Sequence, residues 1–428
     1  MNGSILDTVR ETCQLFSKYE LTKGELARAE ELADKLENHK ITVSVIGQFK
    51  RGKSTLVNAI LGDKILPVGI VPVTAVVTTV EYGEKAASVH FDNGIIKEIG
   101  FDEMSSYINE QENQENRLGV SEVRLYCPSD FLQSGMTFVD TPGVGSVHQK
   151  NSDAAYSYVK ESDAVIFMLS VDSPVNQIEI DFLENAKEFA SKFYFAVNKI
   201  DSIDSDDLAD YLAYCRKLLC GLMGVEDIAI FPVSAKKNIG VEELKSAIAN
   251  DCQTTVQQII EESAKLKMRD IVASALSQIV LYRTALGMTH AEFDEKFVQI
   301  EEYFVKIKTE TAEFAESFPG NAGMLEAHMN DIKNRLSAKV SELFGIEYHY
   351  NISDVDFFRG GKAADDGSRD LRESFRAAVD GLCSELKDTL MAIFMHREEN
   401  TYKVARRIND LNRLVRKLVQ LRTELASE

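Results

Sequence analysis

The chain contains 428 residues, 44% of them hydrophobic, and carries a formal net charge of −20 at pH 7. Its length permits two or three domains with separate cores, whereas its acidic balance disfavours broad contact with nucleic acid, which binds clustered cations. The six cysteines form no Cys-X-X-Cys pair, which argues against a zinc site or a disulfide framework.

The first forty residues are predicted to be helical. Apolar side chains recur at helical spacing on one face of this segment, at Leu26, Ala29, Leu32, Ala33 and Leu36. A helix with one apolar face buries that face against another element, and residues 1–40 contain no partner for it. We therefore expect residues 1–40 to pack on helices near the C-terminus.

Residues 41–250 alternate short apolar runs with amphipathic stretches. The runs lie at residues 41–46, 76–80, 137–139, 164–169, 193–197 and 228–233. Such runs are typical of strands buried on both faces, and the intervening helices would make them βαβ units of one parallel sheet. Asp92-Asn93-Gly94, within residues 88–96, predicts a β-hairpin that would add an antiparallel edge.

Residues 251–428 show helical periodicity and almost no strand pattern. One heptad seam runs through Phe293, Phe297, Ile300, Phe304, Ile307, Thr311 and Phe314, and a second through Val404, Ile408, Leu411, Val415 and Leu418. Helices with such seams pack against other helices. We expect a long antiparallel bundle formed by residues 1–40 and 251–428.

A phosphate-binding loop follows the first predicted strand. Its sequence is Gly47-Gln48-Phe49-Lys50-Arg51-Gly52-Lys53-Ser54, and a helical pattern continues from Thr55. In a Gly-X-X-X-X-Gly-Lys-Ser loop, backbone N–H groups surround the β-phosphate, the lysine reaches the β- and γ-phosphates, and the serine hydroxyl binds Mg²⁺. We expect nucleotide contacts from Gly47, Gln48, Lys50, Arg51, Gly52, Lys53, Ser54 and Thr55.

Asp140-Thr141-Pro142-Gly143 follows another predicted strand. At this position a P-loop NTPase has a carboxylate for Mg²⁺ and a glycine N–H at the γ-phosphate, roles that we assign to Asp140 and Gly143. A threonine is expected to join Mg²⁺ and to orient water through its carbonyl group. We choose Thr74 for this role, because Thr78 and Thr79 fall within a predicted strand.

Two further motifs indicate that the base is guanine. Asn198-Lys199-Ile200-Asp201 ends one predicted strand, and Ser234-Ala235-Lys236 follows the next. The Asp201 carboxylate is suited to accept hydrogen bonds from the N1–H and amino groups of guanine, a pair of donors that adenine lacks. A backbone N–H of the Ser234 to Lys236 turn would face guanine O6. The predicted cofactors are therefore GTP or GDP with Mg²⁺.

The sequence resembles the bacterial dynamin-like GTPases. The matching segments are GQFKRGKST from Gly47, PVTA from Pro72, DTPGVGS from Asp140 and the run from Ser162 to Pro174. They cover most of residues 41–250, and over residues 251–428 only the architecture is similar. The resemblance implies an α/β P-loop GTPase domain, with a mostly parallel sheet flanked by helices, and an all-α helical bundle or stalk. It also implies that GTPase (G) domains pair across the nucleotide to hydrolyse GTP, while the stalk binds or remodels membranes.

The sequence leaves the positive charge for hydrolysis open among several residues. Val144 follows Gly143, where Ras-like enzymes have a glutamine that orients water. Gln48, Lys50 and Arg51 lie in the loop that bends over the phosphates. We prefer Lys50, because the loop also resembles that of guanylate-binding proteins and atlastins, whose fourth residue is a catalytic arginine. Lysine lacks the planar fork of arginine, so the role passes to Arg51 if Lys50 does not fill it; alternatively, both cations only attract an anionic ligand from a distance.

Two segments of the helical part bear on the choice of partner. Residues 344–361 form an aromatic run that either packs at the end of the bundle or contacts lipid. Residues 397–422 contain eight basic and three acidic residues. They form either a helix face paired with the acidic segment 292–316 or a surface for lipid or a partner.

We therefore expect a cytoplasmic GTPase that self-associates through its G domains, as a dimer or larger assembly, with peripheral contact at the inner face of a membrane. No segment approaches the ~20 apolar residues of a membrane span, and the N-terminus lacks the core of a signal peptide. The alternative is a regulatory GTPase whose helical part binds a protein partner. A ribosome-assembly GTPase would carry a basic RNA-binding domain, so no nucleic-acid partner is expected.

Overall fold

The computed structural model describes residues 4–38, 40–48, 50–68, 76–91, 94–109, 112–113, 116–133, 135–141, 159, 161–317, 322–349, 371–397 and 401–427. The chain divides into two compact units, one of residues 34–267 and the other of residues 1–33 with 268–428. The domain boundaries drawn from the sequence, after residues 40 and 250, stay a prediction.

The elements follow one another in chain order. They are α1 (Ile5–Phe16), α2 (Lys23–Glu37), β1 (Ile41–Gly47), α3 (Lys53–Leu61), β2 (Thr78–Tyr82), β3 (Ala86–Phe91), β4 (Ile96–Ile99), α4 (Ser105–Ile108), β5 (Val120–Cys127), β6 (Met136–Asp140), β7 (Ala164–Ser170), α5 (Gln177–Ala186), β8 (Lys192–Asn198), α6 (Ser205–Met223), β9 (Ile230–Pro232), α7 (Val241–Thr254), α8 (Val256–Gly287), α9 (His290–Ser317), α10 (Ala322–Phe344), α11 (Leu371–Arg397) and α12 (Thr401–Ser427).

Nine strands of the described residues form one sheet in the order β4-β3-β5-β2-β6-β1-β7-β8-β9. The pairings from β6 through β1, β7 and β8 to β9 are parallel, as is β2 with β5. β2 is antiparallel to β6, and β3 is antiparallel to both β4 and β5. The prediction of a mostly parallel α/β sheet with an antiparallel hairpin at its edge is therefore confirmed.

Strand β5 was not predicted from the sequence. Its buried residues alternate with partly exposed ones: Val123, Leu125 and Cys127 are buried, whereas Arg124 and Tyr126 are half-buried. This period of two is typical of a strand covered on one face. A search for uninterrupted apolar runs overlooks it because polar side chains break the run.

The parallel strands bring several loops to one edge of the sheet. β1, β6, β7 and β8 run in the same direction, so their carboxyl ends lie at the same edge. The segments that follow Gly47, Asp140, Ser170 and Asn198 therefore meet there. Ligands of parallel α/β sheets bind beyond this edge.

The helical unit is antiparallel where its contacts define direction. Along α9 and α11, Phe293 packs near Phe394, with ring centroids 6.3 Å apart, and Phe314 packs near Phe375 at 6.0 Å. The residue numbers run in opposite directions, and an ion pair of 2.6 Å between Glu301 and Lys387 lies between these contacts. The α9 seam is largely buried, which confirms the prediction of a bundle.

Helices α2 and α12 of this unit both contact α8. Arg269 of α8 donates to the Leu425 carbonyl oxygen of α12 at 2.7 Å. Ser274 of α8 donates to Glu25 of α2 at 2.8 Å. Within the described part of the chain, no helix is both long enough and apolar enough to cross a membrane.

Candidate nucleotide-binding site

The phosphate loop connects β1 to α3, and its two glycines have no space for a side chain. A Cβ on Gly47 would lie 2.6 Å from the Met168 carbonyl oxygen, and a Cβ on Gly52 would lie 2.4 Å from Asn198 Nδ2. Gly52 also has φ of 93°, in the left-handed region, where it precedes the first residue of α3. The backbone therefore turns tightly against β7 and the loop after β8. This turn directs the N-terminus of α3 toward the phosphate loop. Such an N-terminus favours phosphate.

Lys53 is buried within this loop. Its Nζ donates to the carbonyl oxygens of Gly47, at 2.9 Å, and Gln48, at 3.4 Å. Burial lowers the pKa of the ammonium group to about 8, although Asp140 and Glu179 act in the opposite direction. The amine stays mostly protonated at pH 7 and carries a charge at the centre of the loop.

Ser54 and Asp140 form a pair of oxygen ligands suited to Mg²⁺. The Ser54 hydroxyl donates to Asp140 Oδ2 at 2.5 Å. Oδ1 of Asp140 is buried and accepts no hydrogen bond from any residue that the structure describes. Burial raises the pKa of this carboxyl group to about 6, against the opposing effects of Lys53 and Ser54. A buried oxygen without a partner is costly, and a divalent cation bound by carboxylate and hydroxyl oxygens would remove that cost.

Asn198 connects the phosphate loop to the two predicted guanine motifs. Its Nδ2 donates to the Arg51 carbonyl oxygen at 2.8 Å. Its Oδ1 accepts from the backbone N–H of Lys199 at 2.8 Å and of Ala235 at 3.0 Å. The side chain thus holds three loops together, and its contacts are to protein backbone.

Asp201 lies exposed at the rim of the same edge and is held from two sides. Ser234 Oγ donates to its Oδ1 at 2.7 Å, and Lys237 Nζ lies 3.3 Å from its Oδ2. The hydrogen bond from Ser234 is the main reason that the pKa of Asp201 is lowered. An ionised carboxylate accepts hydrogen bonds, as a guanine ligand must. Lys236 is exposed.

Comparison with known proteins agrees with this geometry. Residues 43–201, from β1 to the Asp201 loop, match the model of the Dynamin family. This part of the chain is therefore similar to the Dynamin family. An uncharacterized protein in the xynA 3' region of Caldicellulosiruptor sp. is 39% identical over 206 residues, which are 48% of this chain and 51% of that protein. The bacterial dynamin-like protein of Nostoc punctiforme is 25% identical over 382 residues, which are 78% of this chain and 54% of that protein.

A solved structure of an oligomerised bacterial dynamin pair covers 97% of this chain and 79% of its own, at 18% identity and a TM-score of 0.45. The chain spans about half the length of the two curated relatives from Caldicellulosiruptor and Nostoc.

Arg51 is placed differently from the prediction that its side chain contacts nucleotide or acts in catalysis. The residue is 2% exposed, and each of its three side-chain nitrogens donates to a protein acceptor, with Glu179 as ionic partner. A guanidinium saturated in this way is not available to a phosphate. Lys50, by contrast, is exposed and has φ of 65°, a left-handed conformation that costs a non-glycine residue roughly 1 kcal/mol.

Several predicted residues lie outside the described part of the domain. Thr74, Gly143 and Val144 are among them, as is Phe49. Thr78 and Thr79 are described as buried residues of β2, and Thr78 lies opposite Asp140 in the register with β6. Their expected place in a strand is therefore confirmed.

Three charged residues at this edge of the sheet were not predicted from the sequence. Glu179 pairs with Arg51, Lys237 pairs with Asp201, and Asp172 lies 2.6 Å from Lys199 Nζ. Lys237 directly follows the Ser234-Ala235-Lys236 motif, so its position in the sequence could have indicated that it lies at the site. No local pattern indicates Glu179, whose partner lies in a distant motif.

Proposed function

We propose that the chain binds GTP together with Mg²⁺ and hydrolyses GTP to GDP and phosphate. The observation that carries this proposal is the Asn198 side chain, whose hydrogen bonds join the phosphate loop to both guanine motifs. A nucleotide whose phosphates bind the phosphate loop can therefore place its base at the two guanine motifs. The similarity of residues 43–201 to the Dynamin family supports the same activity.

The phosphate end of the proposed site uses Lys53, Ser54 and Asp140. The Lys53 ammonium offsets charge on the β- and γ-phosphates, and N–H groups of the first turn of α3, including that of Thr55, donate to phosphate oxygens. Ser54 and Asp140 would hold Mg²⁺, which withdraws negative charge from the phosphate oxygens when bound. The exposed Lys50 is the proposed source of positive charge in the transition state.

The remaining roles are proposed from the sequence alone. The Thr74 hydroxyl joins Mg²⁺ and its carbonyl group orients the attacking water, while the Gly143 N–H donates to the γ-phosphate. Asp201 accepts from guanine, and the backbone of Ser234, Ala235 and Lys236 closes the base pocket.

Calorimetry with GTP tests the proposal. Lys53→Ala should abolish tight binding, since it removes the buried charge from the loop, whereas Lys64→Ala, at an exposed lysine after α3, should bind like the wild type. Unchanged affinity of Lys53→Ala would refute the phosphate-loop assignment. Asp201→Asn should shift preference from GTP toward XTP, because an amide donates to xanthine O2. A GTP-to-XTP ratio equal to that of the wild type would remove Asp201 from the base pocket.

We further propose that the G domains pair and that the helical part acts at a membrane, as the dynamin relatives suggest. The charge pattern of α12 supports a lipid contact, because Arg406, Arg413, Arg416 and Lys417 are exposed along one side of the helix. The acidic side chains Glu301 and Glu310 of α9 pair instead with Lys387 of α11 and Arg335 of α10. These pairs weaken the alternative in which the α9 acids neutralise the basic C-terminal helix.

Co-sedimentation with vesicles tests the membrane proposal. The wild type should sediment with vesicles that contain anionic lipid, more strongly with a non-hydrolysable GTP analogue, and less with neutral vesicles. Arg413→Glu with Arg416→Glu should reduce sedimentation, and Arg10→Glu serves as a control at an exposed arginine of α1. If the wild type binds no vesicles in either nucleotide state, the regulatory GTPase with a protein partner becomes the better account.

A further inference from the structure

The Arg51 guanidinium lies beneath the phosphate loop and faces the interior of the G domain. Nε donates to Glu179 Oε1 at 2.9 Å, and Nη2 donates to Glu179 Oε2 at 2.8 Å. This is a bidentate pair between two side chains that are 2% and 0% exposed. Removing one member of a buried pair leaves the other charge without compensation. The arrangement therefore holds Arg51 in one position.

The other donors of Arg51 attach the loop to the segment between β7 and α5. Nη1 donates to Ser170 Oγ and to the Ser173 carbonyl oxygen, both at 2.9 Å. Nη2 also donates to the Pro174 carbonyl oxygen at 3.2 Å. Tyr211 OH donates to the carbonyl oxygens of Ser170, at 2.9 Å, and Ser173, at 3.1 Å. The segment is thus fixed by side chains from two other elements.

The backbone of Arg51 is fixed as well. Its carbonyl oxygen accepts from Asn198 Nδ2 at 2.8 Å. On either side, Lys50 and Gly52 have φ of 65° and 93°. Two left-handed residues flanking one anchored residue define the shape of the loop, and Lys50 keeps this conformation although it has a side chain. Arg51, between these two residues, is held by both its side chain and its carbonyl group.

We infer that Arg51 is a positioning residue, whose buried pair with Glu179 holds the phosphate loop in the shape that presents Lys50. The Arg51 side chain itself does not contact the reacting phosphate. The inference rests on the proposed GTP hydrolysis. It assigns a role in turnover to Glu179, which lies outside every nucleotide-binding motif. Lys53 and the Ser54–Asp140 pair make their hydrogen bonds without Arg51 or Glu179 side chains, so turnover should suffer more than affinity.

A double-mutant cycle on the turnover rate tests the inference. Glu179→Gln and Arg51→Met should each lower kcat on the order of tenfold or more, with GTP affinity by calorimetry within a few fold of wild type. Because both changes break the same pair, Arg51→Met with Glu179→Gln should be no slower than the slower single variant. Glu184→Gln, at an exposed residue of α5, is the matched control and should leave kcat unchanged.

Different outcomes separate this inference from the proposed function. Wild-type kcat in Glu179→Gln, with Arg51→Met inactive, would overturn the inference, because Arg51 would then act without its partner. A wild type that hydrolyses no GTP would refute the proposed function itself. If Glu179→Gln fails to fold by thermal melting, Glu179→Asp keeps the charge and shortens the side chain; it should lower kcat at unchanged GTP affinity, and an unchanged kcat would overturn the inference.

Discussion

Substitution of Asp163, which immediately precedes β7, tests how a buried charge stabilises the unit of residues 34–267. Its carboxylate is 2% exposed and lies 2.7 Å from Lys267 Nζ and 2.9 Å from Lys35 Nζ. It also accepts from the Thr42 N–H at 2.8 Å and from Ser263 Oγ at 2.9 Å. Burial by itself would raise the pKa of Asp163, but the two lysines outweigh burial and hold the pKa at about 2.

The pKa gives the size and sign of the effect. A fall from 3.8 to about 2 corresponds to roughly 2 kcal/mol of folding free energy at neutral pH. Because the folded-state pKa lies below the unfolded one, this contribution is complete above about pH 4 and is lost as pH falls toward 2. Asp163→Asn also leaves the buried Lys267 without its carboxylate, so we expect a loss of about 3 kcal/mol at pH 7.

Urea unfolding followed by circular dichroism measures this loss. Asp163→Asn should unfold at lower urea than wild type at pH 7, and the difference should shrink as pH falls from 4 to 2. Asp210→Asn, at an exposed position of α6, is the control. Asp163→Asn with Lys267→Met should be more stable than Asp163→Asn alone, since one buried charge is then removed with its partner. Equal unfolding midpoints of Asp163→Asn and wild type at pH 7 would refute the reasoning.

The remaining predictions concern the nucleotide site. Lys50→Ala should keep GTP affinity within a few fold while kcat falls on the order of 10²-fold. Lys50→Arg should stay active, and wild-type turnover per molecule should rise with protein concentration. If steady-state kinetics show wild-type rates for Lys50→Ala, another group supplies the positive charge in the transition state. Asp140→Asn should weaken Mg²⁺-dependent hydrolysis. It should also make the nucleotide-free protein more stable at pH 7, because burial raises the pKa of this carboxyl group to about 6; thermal melting that shows no gain would contradict the burial argument. Gly52→Ala should weaken GTP binding at least tenfold, because a Cβ there meets Asn198 Nδ2, whereas Gly62→Ala has φ of 77° but nothing within 4 Å of its Cβ and should bind normally in calorimetry.

The sequence alone predicted the elements that depend on local pattern. Strands β1, β2, β6, β7, β8 and β9 appear as apolar runs, and the seam of α9 appears as a heptad repeat, because each periodicity follows from the geometry of one element. The phosphate loop was predictable for the same reason, because its glycines are required by a backbone conformation that extends over only a few residues. β5 was missed because its alternation includes charged side chains.

Tertiary structure decided which charged residues act together. The sequence offered Lys50 and Arg51 as two cations of one loop, with Lys50 preferred through a resemblance. Only folding shows that Arg51 is buried, since Glu179 and Ser170 meet it from distant positions in the chain. Asp163 likewise pairs with Lys35 of α2, which precedes the strands in the chain, and with Lys267 of α8, which follows them. Periodicity records which face of an element is buried, whereas the partner of a buried charge depends on how the strands are ordered in the sheet, and no local pattern encodes that order.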